Sequence, residues 1–128
     1  MRWFHLTWDA DVKKHPNVPA DVAELLCNKP FNVKKIGRPI ESTIVFCMEE
    51  SEGDICSLYN ALTQKFKSSF NCIVSRVGTV THGDGKLYFH AKGAGMKSEH
   101  EDPFGEILER LKSSGKIPQN VQNVNVKW

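Results

Sequence analysis

Residues 2–9, RWFHLTWD, alternate with a period of two: Phe4, Leu6 and Trp8 fall on one side, and Trp3, His5, Thr7 and Asp9 on the other. A helix would scatter these residues around its axis, so the pattern predicts a strand with one apolar face to bury and one polar face. The rest of the chain must then supply a layer to cover Phe4, Leu6 and Trp8.

Covering elements can be read in order. Asn17 followed by Val18 and Pro19 reads as a cap with an early proline, and Val18, Val22, Leu25 and Leu26 recur at helical spacing until Asn28 and Pro30 stop them. The segment FNVKKIGRPIE, punctuated by glycine and proline, has room for a short strand in FNVKKI. STIVFCMEE is a nearly continuous β-branched and aromatic run, the pattern of a central strand. A second helix follows, with Asp54 as its expected N-cap and Ile55, Leu58, Tyr59, Leu62 and Phe66 as its stripe.

Two β-rich runs, NCIVSRVGTVTH and KLYFHAK, then flank Gly83, Asp84 and Gly85, which is a hairpin signal. A third helix is expected from Asp102 and Pro103 through Phe104, Ile107, Leu108 and Leu111, with Glu106 and Arg110 spaced for an ion pair and Gly115 past its end. The tail NVNVKW alternates Val124, Val126 and Trp128 with polar residues and reads as an edge strand. The predicted class is therefore α+β: a ferredoxin-like split β-α-β core with an antiparallel sheet, an added β-hairpin, a third helix and a C-terminal edge strand, in one domain over 1–128. In that layout two helices cover one sheet face, the first strand is central, and its other face stays open unless the hairpin and the extra helix cover it.

Composition narrows the function classes. No apolar run approaches the length needed to cross a bilayer, and there is no basic region followed by an apolar stretch and a cleavage site, so a cytoplasmic protein without a membrane partner is expected. Cys27, Cys47, Cys56 and Cys72 stand at long spacings without a C-x-x-C, which argues against a zinc site or a redox pair; three of them lie in apolar patterns and read as buried free thiols. The formal net charge of +2 is mild for a nucleic-acid binder, but Lys29, Lys34, Lys35 and Arg38 form a basic stretch. The acidic runs at 49–54 and 99–109 read as solvated loops and helix starts.

The polar row of the first strand is where chemistry can be placed. Trp3, His5, Thr7 and Asp9 offer an aromatic ring, an imidazole, a hydroxyl and a carboxylate about 7 Å apart in turn. Such a row suits binding or cutting a phosphodiester. Trp3 would stack a base, with Thr7, Lys34, Lys35 and Arg38 as further contacts. His5 and Asp9 are the candidate catalytic residues, and Asp9 is the candidate ligand of a divalent ion, Mg or Mn. The competing reading is an ordinary polar face turned to water. His82, His90 and His100 with Asp84 are a weaker candidate metal set, and KGAGMK a weaker phosphate loop.

FHLTWDAD, followed by a small helix and a strand like ESTIVFCMEE, resembles the small CRISPR-adaptation nuclease superfamily, which includes the virulence-associated protein D ribonucleases. The resemblance covers about the first 80 residues and implies a ferredoxin-like subunit that dimerises, with the strand-end aspartates of two chains facing each other around a metal; only Asp9 maps. The long Gly-Asp-Gly hairpin and third helix depart from that pattern. HLTW also resembles half the signature of the two-histidine phosphoesterases, but the second copy fails: FHAK has Lys92 where the hydroxyl belongs, and THGD does not fit. Two functions follow as expectations: a nucleic-acid-binding or metal-dependent nuclease-like protein, or a non-enzymatic inhibitor, immunity or anti-defence protein that occupies a protein partner through its edge strand or acidic segments.

Overall fold

The computed structural model describes residues 2–49, 52–76, 80–81, 87–88 and 104–124. The first strand, β1 (Arg2–Ala10), is followed by α1 (Val18–Cys27), β2 (Lys35–Ile40), β3 (Thr43–Met48), α2 (Glu52–Phe66) and β4 (Phe70–Arg76). Then come two short strands, β5 (Val80–Thr81) and β6 (Leu87–Tyr88), α3 (Phe104–Ser113) and a final strand, β7 (Gln122–Asn123).

Five strands form one sheet in the order β4-β1-β3-β2-β7. β1 is antiparallel to both β3 and β4, and β2 is antiparallel to β3. This order is compatible with a ferredoxin-like core: β1 and β2 run in the same direction with β3 inserted between them. β7 departs from the expected all-antiparallel sheet, because it pairs with β2 in parallel and makes the sheet mixed. A tight hairpin forces antiparallel pairing, but β7 arrives through α3, a crossover connection that permits the parallel one.

β2 lies further along the chain than FNVKKI suggested. Its register with β3 shifts by one residue between Gly37 and Ile40, and that irregularity accommodates Pro39, which cannot donate to a regular ladder. β7 crosses close to Gly37: Val124 N–H donates to the Ile36 carbonyl at 2.8 Å, and a Cβ on Gly37 would lie 2.5 Å from the Val124 oxygen. Any larger residue would push β7 off this edge.

The core lies on the Phe4, Leu6 and Trp8 face. These side chains pack with Val22 and Leu26 of α1, Ile44 and Phe46 of β3, Leu58 and Leu62 of α2, and Phe104, Leu108 and Leu111 of α3. The third helix therefore joins the layer formed by the first two and contributes to the same core. α2 begins at Glu52, so Asp54 is inside the helix and not its cap, and Tyr59, expected in the apolar stripe, is 56% exposed.

α3 ends as its sequence implied. Gly115 adopts a left-handed φ of 72°, Lys116 N–H donates to the Leu111 carbonyl at 2.9 Å, and Gly115 N–H to the Lys112 carbonyl at 3.1 Å. This pair of bonds is the Schellman arrangement, which glycine enters without a Cβ penalty. The surface ion pair on α3 is Lys112 with Glu109, at 3.3 Å, in place of the expected Glu106 and Arg110. Asn28 fastens α1 to the segment after α3 by donating from Nδ2 to the carbonyls of Glu24 and Lys116, both at 2.7 Å.

β5 and β6 pair antiparallel through Val80 with Tyr88 and Thr81 with Leu87, as the hairpin signal implied. The turn residues Gly83, Asp84 and Gly85, the helix-start residues Asp102 and Pro103, and Val126 and Trp128 lie outside the described residues. No helix among the described residues is long and apolar enough to cross a membrane.

Candidate functional site

Registry across the sheet shows what the second face of β1 meets. Trp3 stands beside Cys47 of β3, which in turn stands beside Lys35 of β2. One row along, Ser75, His5, Val45 and Gly37 cross the sheet together; the next row is Ile73, Thr7, Thr43 and Ile40, and the last pairs Asn71 with Asp9. All four polar-row residues of β1 share this face. They do not share one environment.

His5 and Thr7 are half-buried and engaged across strands. The Ser75 hydroxyl lies 3.2 Å from His5 Nδ1 and 3.1 Å from Nε2, within hydrogen-bond distance of either nitrogen. Thr7 Oγ1 lies 3.1 Å from Thr43 Oγ1. Thr43, Val45 and Cys47 are only 7%, 3% and 8% exposed, so this face is no bare platform where it crosses β3. It opens towards β4, where Ile73 is 66% exposed, and at Asp9.

Asp9 is exposed at the end of β1 and has Asn71 as its cross-strand neighbour. Among the described residues no three His, Cys, Asp or Glu side chains gather as a metal site. Asp9 by itself offers two oxygens, and a hard cation wants about six. Asp11, the next carboxylate along, is occupied in its own turn: its Oδ1 accepts from Lys13 N–H at 2.9 Å. Asp9 also lies six residues from Trp3, about 20 Å along the strand, so the expected row divides into two separate ends.

The basic stretch divides as well. Arg38 is tied to the β2–β3 hairpin, where its Nε and Nη2 donate to the Glu41 carbonyl at 2.9 and 2.7 Å. Lys34 and Lys35 instead line a cleft of about 300 Å³ with Phe31, Cys47 and Met48. The chain reaches it through Asn32, whose φ of 51° is one an asparagine tolerates. The cleft thus adjoins the Trp3 end of the second face and combines apolar walls, an aromatic ring, two ammonium groups and the carboxylate of Glu49.

Burial disfavours the thiolate at three of the four cysteines. Burial pushes Cys27 up to about 12, against smaller opposing contributions from Lys34 and Lys112. Burial also raises Cys47 and Cys72. None of the four cysteines is joined in a disulfide; Cys27 and Cys47 are buried as expected, whereas Cys72 is half-buried and Cys56 exposed.

One ordered histidine gave no signal in the sequence. His15 Nε2 lies 2.7 Å from the Ser68 carbonyl, and its ring meets Phe66 and Phe70 edge-on at 5.4 and 6.3 Å between centroids. Phe66 and Phe70 stack at 4.0 Å. This cluster holds the β1–α1 loop against the α2–β4 turn, 53 residues away along the chain, and no local periodicity reports such a contact. His82, His90, His100, Asp84 and the loop KGAGMK lie outside the described residues. Compared with protein-family models, with curated proteins and with solved structures, the chain matches none of them.

Proposed function

We propose that the chain is a nucleic-acid-binding protein on a ferredoxin-like core, and that it holds a single-stranded segment at the Trp3 end of its second sheet face. The core assignment rests on the strand order β4-β1-β3-β2 with helices between β1 and β2 and between β3 and β4. The binding assignment rests on one observation: the cleft that joins Phe31 and Met48 to Lys34 and Lys35, with Trp3 in the same cross-sheet row as Lys35.

Trp3 and Lys35 are two strands apart, about 10 Å between Cα atoms, a distance that lets one residue meet a base while the other meets a backbone phosphate. Lys34 supplies a second cation on the same path. Arg38 has a structural duty in the hairpin, and His5 and Thr7 hold the platform through Ser75 and Thr43. Cutting at Asp9 with Mg or Mn, as the nuclease resemblance implies, is a further step that needs ligands from elsewhere, the Asp9 of a second chain included.

The test is fluorescence anisotropy of labelled single- and double-stranded RNA and DNA over a range of salt, with metal and chelator arms resolved on gels. Binding should weaken steeply with salt. The double substitution Lys34→Ala with Lys35→Ala should lower the salt slope by about 1.4, two phosphate contacts on a single strand at ~0.7 each. No binding at the lowest salt, or a slope indifferent to both lysines, overturns the proposal. The other reading, a protein that occupies a partner's surface, is favoured by a different feature, the edge strand β4, which carries no charge from Phe70 to Ser75.

A further inference from the structure

We infer that β4 is a homodimer interface, across which two copies of this chain join edge to edge into one continuous sheet. β4 is one outer strand of the five-stranded sheet, and the opposite edge is the two-residue strand β7. Among the described residues no hydrogen bond reaches the outer side of residues 71–75. Soluble proteins usually blunt such an edge with a lysine, a proline, an inward charge or a bulge. FNCIVS carries none of these, its pairing with β1 is regular throughout, and it displays Ile73 at 66% exposure.

The order of residues along β4 says which partner fits. A two-fold axis at Ile73 sets the strand antiparallel to itself. Ile73 then meets its own copy, and Asn71 meets the partner's Ser75, so an apolar contact on the second face is flanked by two polar pairs. On the helix side Cys72 meets the partner's Val74, beside a recess of about 170 Å³ lined by Tyr59, Thr63, Phe70 and Cys72. Arg76, the one charge of the strand, falls opposite the partner's Phe70, and the two arginines sit at opposite ends of the pair, about 20 Å apart. From Asn71 to Ser75 every cross-strand neighbour is thus matched in polarity, and no like charges face each other. The exposed Tyr59 on α2 gains cover in the same arrangement.

Sedimentation of the full chain, wild type and Ile73→Lys, tests this. The wild type should run at twice the chain's 14.5 kDa, and Ile73→Lys, which sets two ammonium groups against each other on the axis, should run at 14.5 kDa with an unchanged circular dichroism spectrum. In a Cys56→Ser background, Ile73→Cys should form a disulfide-linked dimer on mild oxidation, because directly opposed residues lie within disulfide reach. Asn71→Cys in the same background should not, its copy lying about 13 Å away along the strand. A wild type that stays monomeric at every concentration loaded overturns the inference, and so does a dimer that neither Ile73→Lys dissolves nor Ile73→Cys crosslinks. A monomer that gains a strand only with a foreign peptide also overturns it and assigns the edge to that partner. Neither result bears on the lysine cleft, whose salt slope is read separately.

Discussion

The two faces of β1 are made from alternate residues of one strand and are held in place by different forces. Phe4 and Leu6 are fully buried and Trp8 is 9% exposed, and all three belong to one apolar cluster shared with three helices. On the other face His5 and Thr7 are half-buried, and what fixes them is directional: Ser75 beside the imidazole and Thr43 beside the Thr7 hydroxyl. The first face tolerates no loss of volume. The second tolerates loss of volume better than loss of one hydrogen-bond partner, and between Trp3 and Asp9 it alone carries half-buried and exposed side chains.

The sharpest way to break this contrast is to truncate one neighbour on each side. Phe4→Ala removes a ring stacked on Phe46 at 5.8 Å in a site with no exposure, and should cost about 3–5 kcal/mol in chemical denaturation. His5→Ala, one residue on, should cost about 1 kcal/mol, the net worth of a typical hydrogen bond. Equal losses at both positions would mean that the second face is core as well, and would leave no room for a ligand there.

Next in size is the Thr7–Thr43 pair. Thr7→Val keeps the shape but leaves the hydroxyl of Thr43, 7% exposed, without this partner, and should cost about 1–2 kcal/mol. Thr7→Val with Thr43→Val should recover most of that loss, since two matched apolar groups leave nothing unpaired. A double variant as unstable as the sum of its parts would show that the pair is held by packing, and would move Thr7 to the other side of the comparison.

How much of this was legible in the sequence follows the same division. Local periodicity named the buried residues of β1, the stripes of α1 and α3 and the glycine that ends α3, because each depends only on neighbours within a turn or a strand. The direction of β7 and the bulge at Pro39 depend on where the chain travels between elements, which no short window contains. For the site, sequence placed Trp3, His5, Thr7 and Asp9 on one face but not the unequal cover along it, which depends on β3 and β4. Grouping Lys34 and Lys35 with Arg38 by proximity in the chain also misled. Arg38 sits in the bulged end of β2 beside the β2–β3 turn, and it spends two donors on the Glu41 carbonyl. His15 could not be found at all, since its partners are Ser68, Phe66 and Phe70.

The smallest expected effect is the most informative about function. Asp9 is exposed, its cross-strand neighbour is Asn71, and no cluster of metal-ligating groups surrounds it among the described residues. Asp9→Asn should therefore leave the denaturation midpoint within error, because surface changes away from buried networks rarely move it. It should also leave nucleic-acid affinity unchanged within about twofold, since the lysine cleft lies at the far end of the strand and a carboxylate contributes no attraction to phosphate. A wild type that cuts nucleic acid only with Mg or Mn, and an Asp9→Asn protein that binds it equally well but no longer cuts, would make the two ends of the second face parts of one interface: a cleft that holds the strand and an aspartate that acts on it. An Asp9→Asn protein identical to the wild type in both measurements would confine the ligand to the Trp3 end, and Asp9 would be an ordinary solvated residue closing the strand.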